Sequence, residues 1–351
     1  MDVSAYSGRL AKGCRLCAQG AKMVLLVTGR CPRACFYCPL SGAKKNKDVV
    51  YANETRAYDL EQIIEEARQM RALGTGITGG EPFQAFERTK GVIKALKHEF
   101  GPKHHIHLYT TGNADPEQVR ALAREGLDEI RFHPPLAQWG KERPGFLPAF
   151  LEAKRSGLAT GIEIPAIPGM HKEMAALGQR FFGLGLDFLN LNELEEAEPN
   201  WKAFKERGYQ TCGNCSAIKG SREAALRVLK ALKGRSVHFC TSRYKDAVQL
   251  RKRLLRRAKT VAKPYHIITE DATLVFGVVE PDGDRDLFEK RLSTLLRGLK
   301  VPRSLYSFHP DRLEIAPWVL QAIIPCVSYK ACIVETYPSS DALEVERTPL
   351  N

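Results

Sequence analysis

Three cysteines follow directly on an apolar run near the start of the chain. Residues 23–27 have the composition of a buried β-strand, and Cys31, Cys35 and Cys38 come within the next eleven residues. Three thiols this close together cannot readily pair as disulfides, and three thiolates are one fewer than the four that close a structural zinc site or a fully ligated iron–sulfur cluster. A four-iron cluster on three cysteines keeps one iron open to a small molecule. The spacing predicts a strand leading into a metal loop, with a zinc loop or three buried thiols as alternatives.

A glycine-rich turn follows the cysteine loop by about one βα unit. Gly79, Gly80, Glu81 and Pro82 come directly after a short predicted strand, residues 76–78. Two glycines let the backbone approach a ligand closely, and the neighbouring carboxylate can accept a hydrogen bond from an ammonium group. Alone, this segment would be an ordinary turn. Behind the cysteine loop, it strengthens the prediction of a ligand site.

Together the two motifs closely resemble those of the radical S-adenosylmethionine (radical SAM) superfamily. An aromatic residue, Tyr37, stands before the last cysteine of the C-x-x-x-C-x-x-C spacing. The resemblance implies a [4Fe–4S] cluster on the three cysteines, whose open iron binds the amino and carboxyl groups of S-adenosylmethionine. An electron donor reduces the cluster, a carbon–sulfur bond breaks, and a 5′-deoxyadenosyl radical is released. It also implies that Tyr37 lies beside the adenine and that residues 79–82 hold the methionine amino group.

Predicted strands alternate with amphipathic helices from residue 22 to about 200, which predicts six βα units. Short helical crossovers join parallel strands, and the carboxyl ends of parallel strands meet at one edge of a sheet. The predicted strands end in polar or glycine residues, so these side chains should meet at one mouth. The fold class is therefore α/β, and it matches the partial (β/α)6 barrel that the resemblance implies.

Polar residues at these strand ends are candidates for holding the cofactor. From what the resemblance implies, Thr111 and Asn113 are predicted to bind its ribose or carboxylate. Arg131 is predicted to bind the methionine carboxylate, and Glu163 or Asn192 the ribose hydroxyls. The alternative for each is a polar side chain that is satisfied within the fold.

Two further C-x-x-C pairs lie outside the loop. Cys14 and Cys17 precede the first predicted strand of the barrel, and Cys212 and Cys215 lie far along the chain. Two such pairs are typical of a zinc or iron–sulfur site when the fold joins them, and Cys240 is a competing ligand. A second metal site is predicted here, with free structural thiols as the alternative.

The C-terminal half differs in charge and pattern. Residues 243–263 carry nine Lys or Arg and one acid, Asp246, with apolar residues at helical spacing. The predicted organisation is an N-terminal extension (1–21), the barrel (22–200), a basic helical segment (201–263) and a small α+β domain (264–351). A net charge of +13 makes a polyanionic partner such as RNA plausible.

Composition places the chain among globular proteins. Its 351 residues are 44% hydrophobic, which is enough for a sizeable core. No apolar run approaches the ~18 residues of a membrane helix, and no signal-peptide pattern opens the chain. The expectation is a soluble cytoplasmic protein without a membrane partner, whose ten cysteines are metal ligands and reduced thiols.

The resemblance is nearest to an archaeal group related to the pyruvate formate-lyase activating enzyme. The predicted function is hydrogen abstraction by a 5′-deoxyadenosyl radical from a substrate, an RNA or a protein. Activation of a glycyl-radical enzyme is the first alternative. An iron–sulfur protein that binds or transfers electrons without turnover is the second, and the intact glycine-rich turn argues against it.

Overall fold

The structure is a computed structural model that describes residues 4–112, 114–213 and 215–351. The chain forms two compact units. The larger comprises residues 1–68 and 72–250, and the smaller comprises residues 69–71 and 251–351. The boundary at residue 250 lies inside the predicted basic segment 201–263.

A ten-stranded sheet is the framework of the larger unit. Its strands are β1 (Ala5–Ser7), β2 (Lys22–Leu26), β3 (Val50–Ala52), β4 (Thr55–Ala57), β5 (Gly74–Thr78), β6 (His105–Thr110), β7 (Glu129–Phe132), β8 (Ala159–Ala166), β9 (Phe188–Glu193) and β10 (Val237–Cys240). Seven of them run parallel in the order β2-β5-β6-β7-β8-β9-β10. β1 pairs antiparallel with β10 at one edge, and the β3–β4 hairpin joins β2 at the other. The predicted α/β class is confirmed, with one parallel strand more than the six expected.

Helices connect these strands. They are α1 (Lys12–Ala18), α2 (Leu60–Gln69), α3 (Phe86–Phe100), α4 (Pro116–Arg124), α5 (Leu147–Arg155), α6 (His171–Gly183), α7 (Trp201–Glu206), α8 (Ser221–Ala231) and α9 (Ser242–Tyr244), with 3-10 turns at Pro82–Ala85 and Leu136–Gln138. Helix α4 shows how the sequence sets a boundary: Asp115 caps it by accepting a 2.8 Å bond from the Glu117 N–H, and Pro116 takes the first helical position.

The seventh parallel strand explains why the larger unit extends beyond residue 200. Helix α8 buries Ala224, Ala225 and Val228 and leads into β10, which pairs in parallel with β9 and is buried throughout. Four residues, V-H-F-C, are a weak strand signal because a polar residue interrupts the apolar run. Pairing with β9 makes this segment a strand.

The parallel strands curve around a common interior. β2 and β10 stand at opposite ends of the parallel run. Residues of both nevertheless line one cavity, Met23 and Val24 from β2 and His238 and Cys240 from β10. This curvature is that of the predicted partial barrel.

The smaller unit is an α+β domain, as predicted. Its elements are α10 (Arg251–Val261), β11 (Ile267–Ile268), β12 (Leu274–Val279), α11 (Arg285–Gly298), β13 (Tyr306–Phe308), β14 (Leu313–Ile315), α12 (Pro317–Ile323), β15 (Ala331–Thr336) and β16 (Glu344–Pro349), with 3-10 turns at Arg303–Leu305 and Ile324–Cys326. The antiparallel sheet has the order β13-β14-β12-β15-β16, with β11 paired to β12. Phe288, Leu292 and Leu296 of α11 pack in its core with Leu313 and Ile315.

The predicted basic helix 243–263 is interrupted. A π-helical turn, Lys245–Leu250, separates α9 from α10. Leu254 and Ala258 of α10 are buried, whereas Lys252 and Lys259 are exposed, as expected of an amphipathic helix. Within residues 4–112, 114–213 and 215–351, no helix has the length and apolarity needed to cross a membrane.

Candidate active site

A cavity of about 470 Å³ lies inside the curved sheet of the larger unit. Its size is within the range of small-molecule sites. Most of the predicted site residues line it: Cys31, Cys35, Tyr37, Cys38, Gly79, Gly80, Thr111, Arg131, Glu163 and Asn192. Glu81 and Pro82 are not among the lining residues, and Asn113 lies outside the described residues. The strand ends therefore converge on one mouth.

The cysteine loop and the glycine-rich turn are hydrogen-bonded directly to each other. The Gly80 N–H donates to the Thr28 carbonyl at 2.7 Å, and the Glu81 N–H donates to the Arg30 carbonyl at 2.7 Å. Gly80 has no room for a side chain, because a Cβ there would overlap the Arg30 carbonyl. Gly79 has φ +151°, which favours glycine. Backbone hydrogen bonds thus join two motifs that are separated in sequence into a single structural unit.

The three loop thiols fit the group that the resemblance implies. Cys31, Cys35 and Cys38 are free, half-buried and on the same cavity wall. Partial burial raises the pKa of Cys31 and Cys35, so a bound metal must displace their protons. In the described part of the chain no three potential ligands stand together at metal-binding distance. Metal binding would therefore draw these thiols together.

Glu81 is hydrogen-bonded within the fold, and its predicted contact with the methionine amino group stays a prediction. Its carboxylate is buried and accepts hydrogen bonds from the Thr111 hydroxyl at 2.6 Å, the Thr111 N–H at 2.7 Å and the Thr110 hydroxyl at 3.0 Å. These contacts join the turn to the end of β6 and leave the carboxylate off the cavity wall. Pro82 is also buried and begins a 3-10 turn. The backbone of Gly79 and Gly80, rather than the side chain of Glu81, faces the cavity.

Thr111 remains on the cavity wall, but its hydroxyl already donates to Glu81. This is the alternative in which a polar side chain is satisfied within the fold. A direct bond from this hydroxyl to a cofactor would require the bond to Glu81 to break.

Arg131 is likewise engaged inside the fold. Its guanidinium donates to Glu129 at 2.7 Å, to Glu163 at 2.7 Å and to the Tyr109 hydroxyl at 3.1 Å. Arg131 and Glu129 are almost completely buried. The predicted contact between Arg131 and a cofactor carboxylate stays a prediction, and it would have to compete with the two protein carboxylates that the guanidinium already binds.

Glu163 and Asn192, which were predicted as alternatives, form a hydrogen-bonded pair. The Asn192 amide donates to Glu163 Oε1 at 2.9 Å, and the Asn190 amide donates to Oε2 at 2.9 Å. Burial raises the pKa of Glu163, but Arg131 and the two amides lower it more, so the net pKa lies below its usual value. The carboxylate is ionised at neutral pH and held in a fixed orientation.

A contact between Tyr37 and His133 links the cysteine loop to the strand ends. His133 Nδ1 lies 2.7 Å from the carbonyl of Glu163, which can only accept, so Nδ1 is the donor. Burial lowers the pKa of His133, so the ring is neutral and Nε2 accepts from the Tyr37 hydroxyl at 3.0 Å. The sequence does not indicate this contact, because a lone histidine at a strand end is more often structural.

A buried polar group lies deeper in the barrel and was not predicted. The ammonium of Lys22 donates to the carbonyls of Thr75 at 2.9 Å and His105 at 2.6 Å, and it lies 3.0 Å from His105 Nδ1. Burial lowers the pKa of Lys22 to about 7 and that of His105 to about 2. Nothing in the local sequence marks this lysine, because its β-strand neighbours look like any buried run.

The outer cysteines separate into two sets. Cys14, Cys17 and Cys240 line the cavity, whereas Cys212 and Cys215 are exposed and do not. The fold thus brings the first C-x-x-C and Cys240 to one cavity and leaves the second C-x-x-C on the surface. The predicted second metal site on these five cysteines stays a prediction.

Comparison with known proteins agrees with the two motifs. The model of the radical SAM superfamily matches residues 25–135, and the model of a domain of unknown function matches residues 272–350. A Methanocaldococcus jannaschii protein, provisionally named as a glycyl-radical enzyme activating enzyme, is 40% identical over 356 residues, 97% of this chain and 93% of its own. Biotin synthase of Pseudomonas putida is 30% identical over 120 residues, 31% of each chain.

Among solved structures, Streptococcus suis SuiB bound to S-adenosylmethionine aligns with a TM-score of 0.43 at 14% identity, over 63% of this chain and 50% of that one. The M. jannaschii relative covers nearly the whole chain, including the smaller unit. The chain belongs to the radical SAM superfamily, in the same family as the M. jannaschii relative.

Proposed function

We propose that this protein cleaves S-adenosylmethionine reductively at a [4Fe–4S] cluster on Cys31, Cys35 and Cys38. The 5′-deoxyadenosyl radical that this cofactor pair supplies then takes a hydrogen atom from a macromolecular substrate. One observation carries the proposal: the cysteine loop and the glycine-rich turn are hydrogen-bonded to each other on the wall of one cavity. A non-catalytic iron–sulfur protein has no need of that second element.

The residues of the chain have distinct parts in this reaction. The three thiols hold the cluster, and the backbone of Gly79 and Gly80 lets the cofactor's amino group approach. Tyr37, oriented by its hydrogen bond to His133, forms the wall for the adenine.

The ribose side of the cofactor is assigned to the other strand ends. We assign the ribose hydroxyls to the hydrogen-bonded pair of Glu163 and Asn192. Thr111 and Asn113 are proposed as further ligands of the ribose or the carboxylate. A recessed cavity also limits the access of water to a reactive radical, which limits side reactions.

We favour a protein substrate. The relative that covers nearly the whole chain is named for activating a glycyl-radical enzyme, and that name specifies a protein partner. A second candidate, RNA, is supported by the net charge of +13 and by the exposed lysines of α10. Either reaction needs an external one-electron donor, and the many free thiols fit a reducing compartment such as the cytoplasm.

Formation of 5′-deoxyadenosine tests the reaction itself. Purified protein is reconstituted anaerobically with iron and sulfide, then given dithionite and S-adenosylmethionine. We expect the nucleoside from the wild type and from Cys326→Ala, an exposed cysteine of the smaller unit, and none from Cys35→Ala. A four-iron cluster that leaves the cofactor intact, with candidate substrates present, would establish the binding-protein alternative.

A separate experiment distinguishes the substrates. A protein substrate predicts an electron paramagnetic resonance signal of a glycyl radical on a candidate partner. An RNA substrate predicts retention on tRNA whose affinity falls steeply with salt and drops further in a Lys252→Glu/Lys259→Glu variant. Binding that vanishes at moderate salt for every RNA would remove the RNA candidate.

A further inference from the structure

A second set of thiols lies in the same barrel interior as the proposed cluster. Cys14 and Cys17 are one helical turn apart on α1, and Cys240 is the last residue of β10. All three line the cavity. None of them belongs to the 31–38 loop, so they are a separate group of potential ligands.

Helix α1 is packed into the interior of the barrel. A Cβ at Gly13 would meet the side chains of Arg131, His107 and Glu129, and the Gly13 N–H donates to Glu129 at 3.3 Å. This close approach places the neighbouring Cys14 directly against the buried polar side chains. The C-x-x-C of α1 is therefore held inside the barrel rather than on a free terminal segment.

Nitrogen donors surround two of the sulfur atoms. The Asn190 amide donates to Cys14 Sγ at 3.2 Å, and the Arg131 guanidinium donates to the same sulfur at 3.5 Å. The Gln249 amide donates to Cys240 Sγ at 3.5 Å. Donors on sulfur stabilise a thiolate and tune a metal that it holds. An inert buried thiol has no requirement for them.

The three thiols are also withdrawn from water. Cys14 and Cys240 are buried, and Cys17 is half-buried. A bound cation would replace the three thiol protons and offset the cost of burying three negative charges.

We propose that Cys14, Cys17 and Cys240 bind a second thiophilic metal centre, either a zinc ion or a second iron–sulfur cluster. Thiolate ligands select these metals, and three thiolates leave one coordination position open toward the cavity. Cys212 and Cys215 take no part. Among the described residues no three such side chains are already arranged to hold a metal ion, so the proposal requires the three thiols to move together on binding.

Metal content of a chain without the loop ligands is the first test. The Cys31→Ala/Cys35→Ala/Cys38→Ala variant is purified anaerobically and reconstituted, and its iron, sulfide and zinc are counted. We expect it to retain about one zinc, or the iron and sulfide of one cluster, per chain. Adding Cys17→Ser and Cys240→Ser removes that metal. Adding Cys212→Ser and Cys215→Ser instead leaves it, which is the matched control.

If the triple variant does not fold, iron, sulfide and zinc are counted instead in the chain with an intact loop. Cys17→Ser/Cys240→Ser should lose one zinc or one cluster. Its remaining cluster should still shift its electron paramagnetic resonance signal when S-adenosylmethionine is added. Metal content equal to the wild type, or loss only in Cys212→Ser/Cys215→Ser, overturns the proposal. Neither result bears on cleavage of the cofactor at the loop cluster.

Discussion

The hydroxyl of Thr111 donates a 2.6 Å hydrogen bond to the carboxylate of Glu81. The backbone N–H of Thr111 donates to the same carboxylate at 2.7 Å. The acid of the glycine-rich turn thus ties that turn to the end of β6. The turn keeps its shape through this buried carboxylate, and its glycine backbone is left to face the cavity.

Replacement of Glu81 should therefore cost stability. In Glu81→Ala, the two threonine hydroxyls and two N–H groups, those of Thr111 and Phe83, lose their acceptor. The free energy of unfolding should therefore fall by about 2–4 kcal/mol. Urea denaturation of the metal-free protein measures this. Glu87→Ala, an exposed acid on α3, should change it by less than about 0.5 kcal/mol. Unchanged stability in Glu81→Ala would mean that the carboxylate is free to face a ligand.

Gly80 should tolerate no side chain. In Gly80→Ala the new Cβ overlaps the Arg30 carbonyl, so the cysteine loop must move away from the turn. We expect cluster iron and 5′-deoxyadenosine formation to fall at least about tenfold, equivalent to about 1.4 kcal/mol. Gly42→Ala is the matched control, because a Cβ at Gly42 meets nothing within 4 Å. Equal iron content in both variants would show that the two motifs do not depend on their close contact.

The ion pair between Arg131 and Glu163 should be strongly coupled. Arg131→Met leaves Glu163 and Glu129 buried without their cation and should cost about 3–5 kcal/mol of unfolding free energy. Glu163→Gln keeps the shape and should cost less. In the double variant the two costs should not add, with a coupling energy above about 1 kcal/mol in a double-mutant cycle. Simple additivity would show that Arg131 is satisfied without Glu163.

Lys22 should make stability depend on pH in the alkaline range. Its pKa is lowered by burial to about 7 in the folded protein, against 10.5 as its ordinary value. Between these values the unfolded chain binds a proton that the folded protein does not, so the stability of the wild type rises as pH rises. Below pH 7 the lysine is charged in both states, and the full cost of burying it remains.

The measurement compares Lys22→Met with the wild type in denaturant titrations from pH 7 to 10. At pH 7 the free energy of unfolding of the variant should exceed that of the wild type. Toward pH 10 the free energy of unfolding of the wild type should rise by a few kcal/mol relative to that of the variant. Lys94→Met removes an exposed lysine and should show no such change. A pH-independent difference between Lys22→Met and the wild type would mean that Lys22 stays protonated throughout.

The chemistry of the cofactor site could be predicted from the amino-acid sequence. Cys31, Cys35 and Cys38 lie within eight residues of one another, and a ligand set this local is visible in the spacing itself. Strands and helices of ordinary length could be predicted for the same reason, because apolar periodicity and capping residues such as Asp115 are local signals.

The direction in which polar side chains point was decided by the tertiary structure. Glu81, Arg131 and Glu163 have the residue types of cofactor ligands, yet each is bonded to partners from another strand. Those partners are 22 to 32 residues away in the chain. No local pattern records such pairings, because they depend on which strands become neighbours.

The positions of the outer cysteines and of the seventh parallel strand also depend on which distant segments become neighbours. Cys240 reaches the barrel interior only because β10 pairs with β9, and Cys14 does so because α1 packs against Glu129 and Arg131. Residue types and short spacings thus specify which cofactor chemistry the chain can support. Contacts between distant segments decide which side chains meet, since burying them together is favourable only in the folded chain.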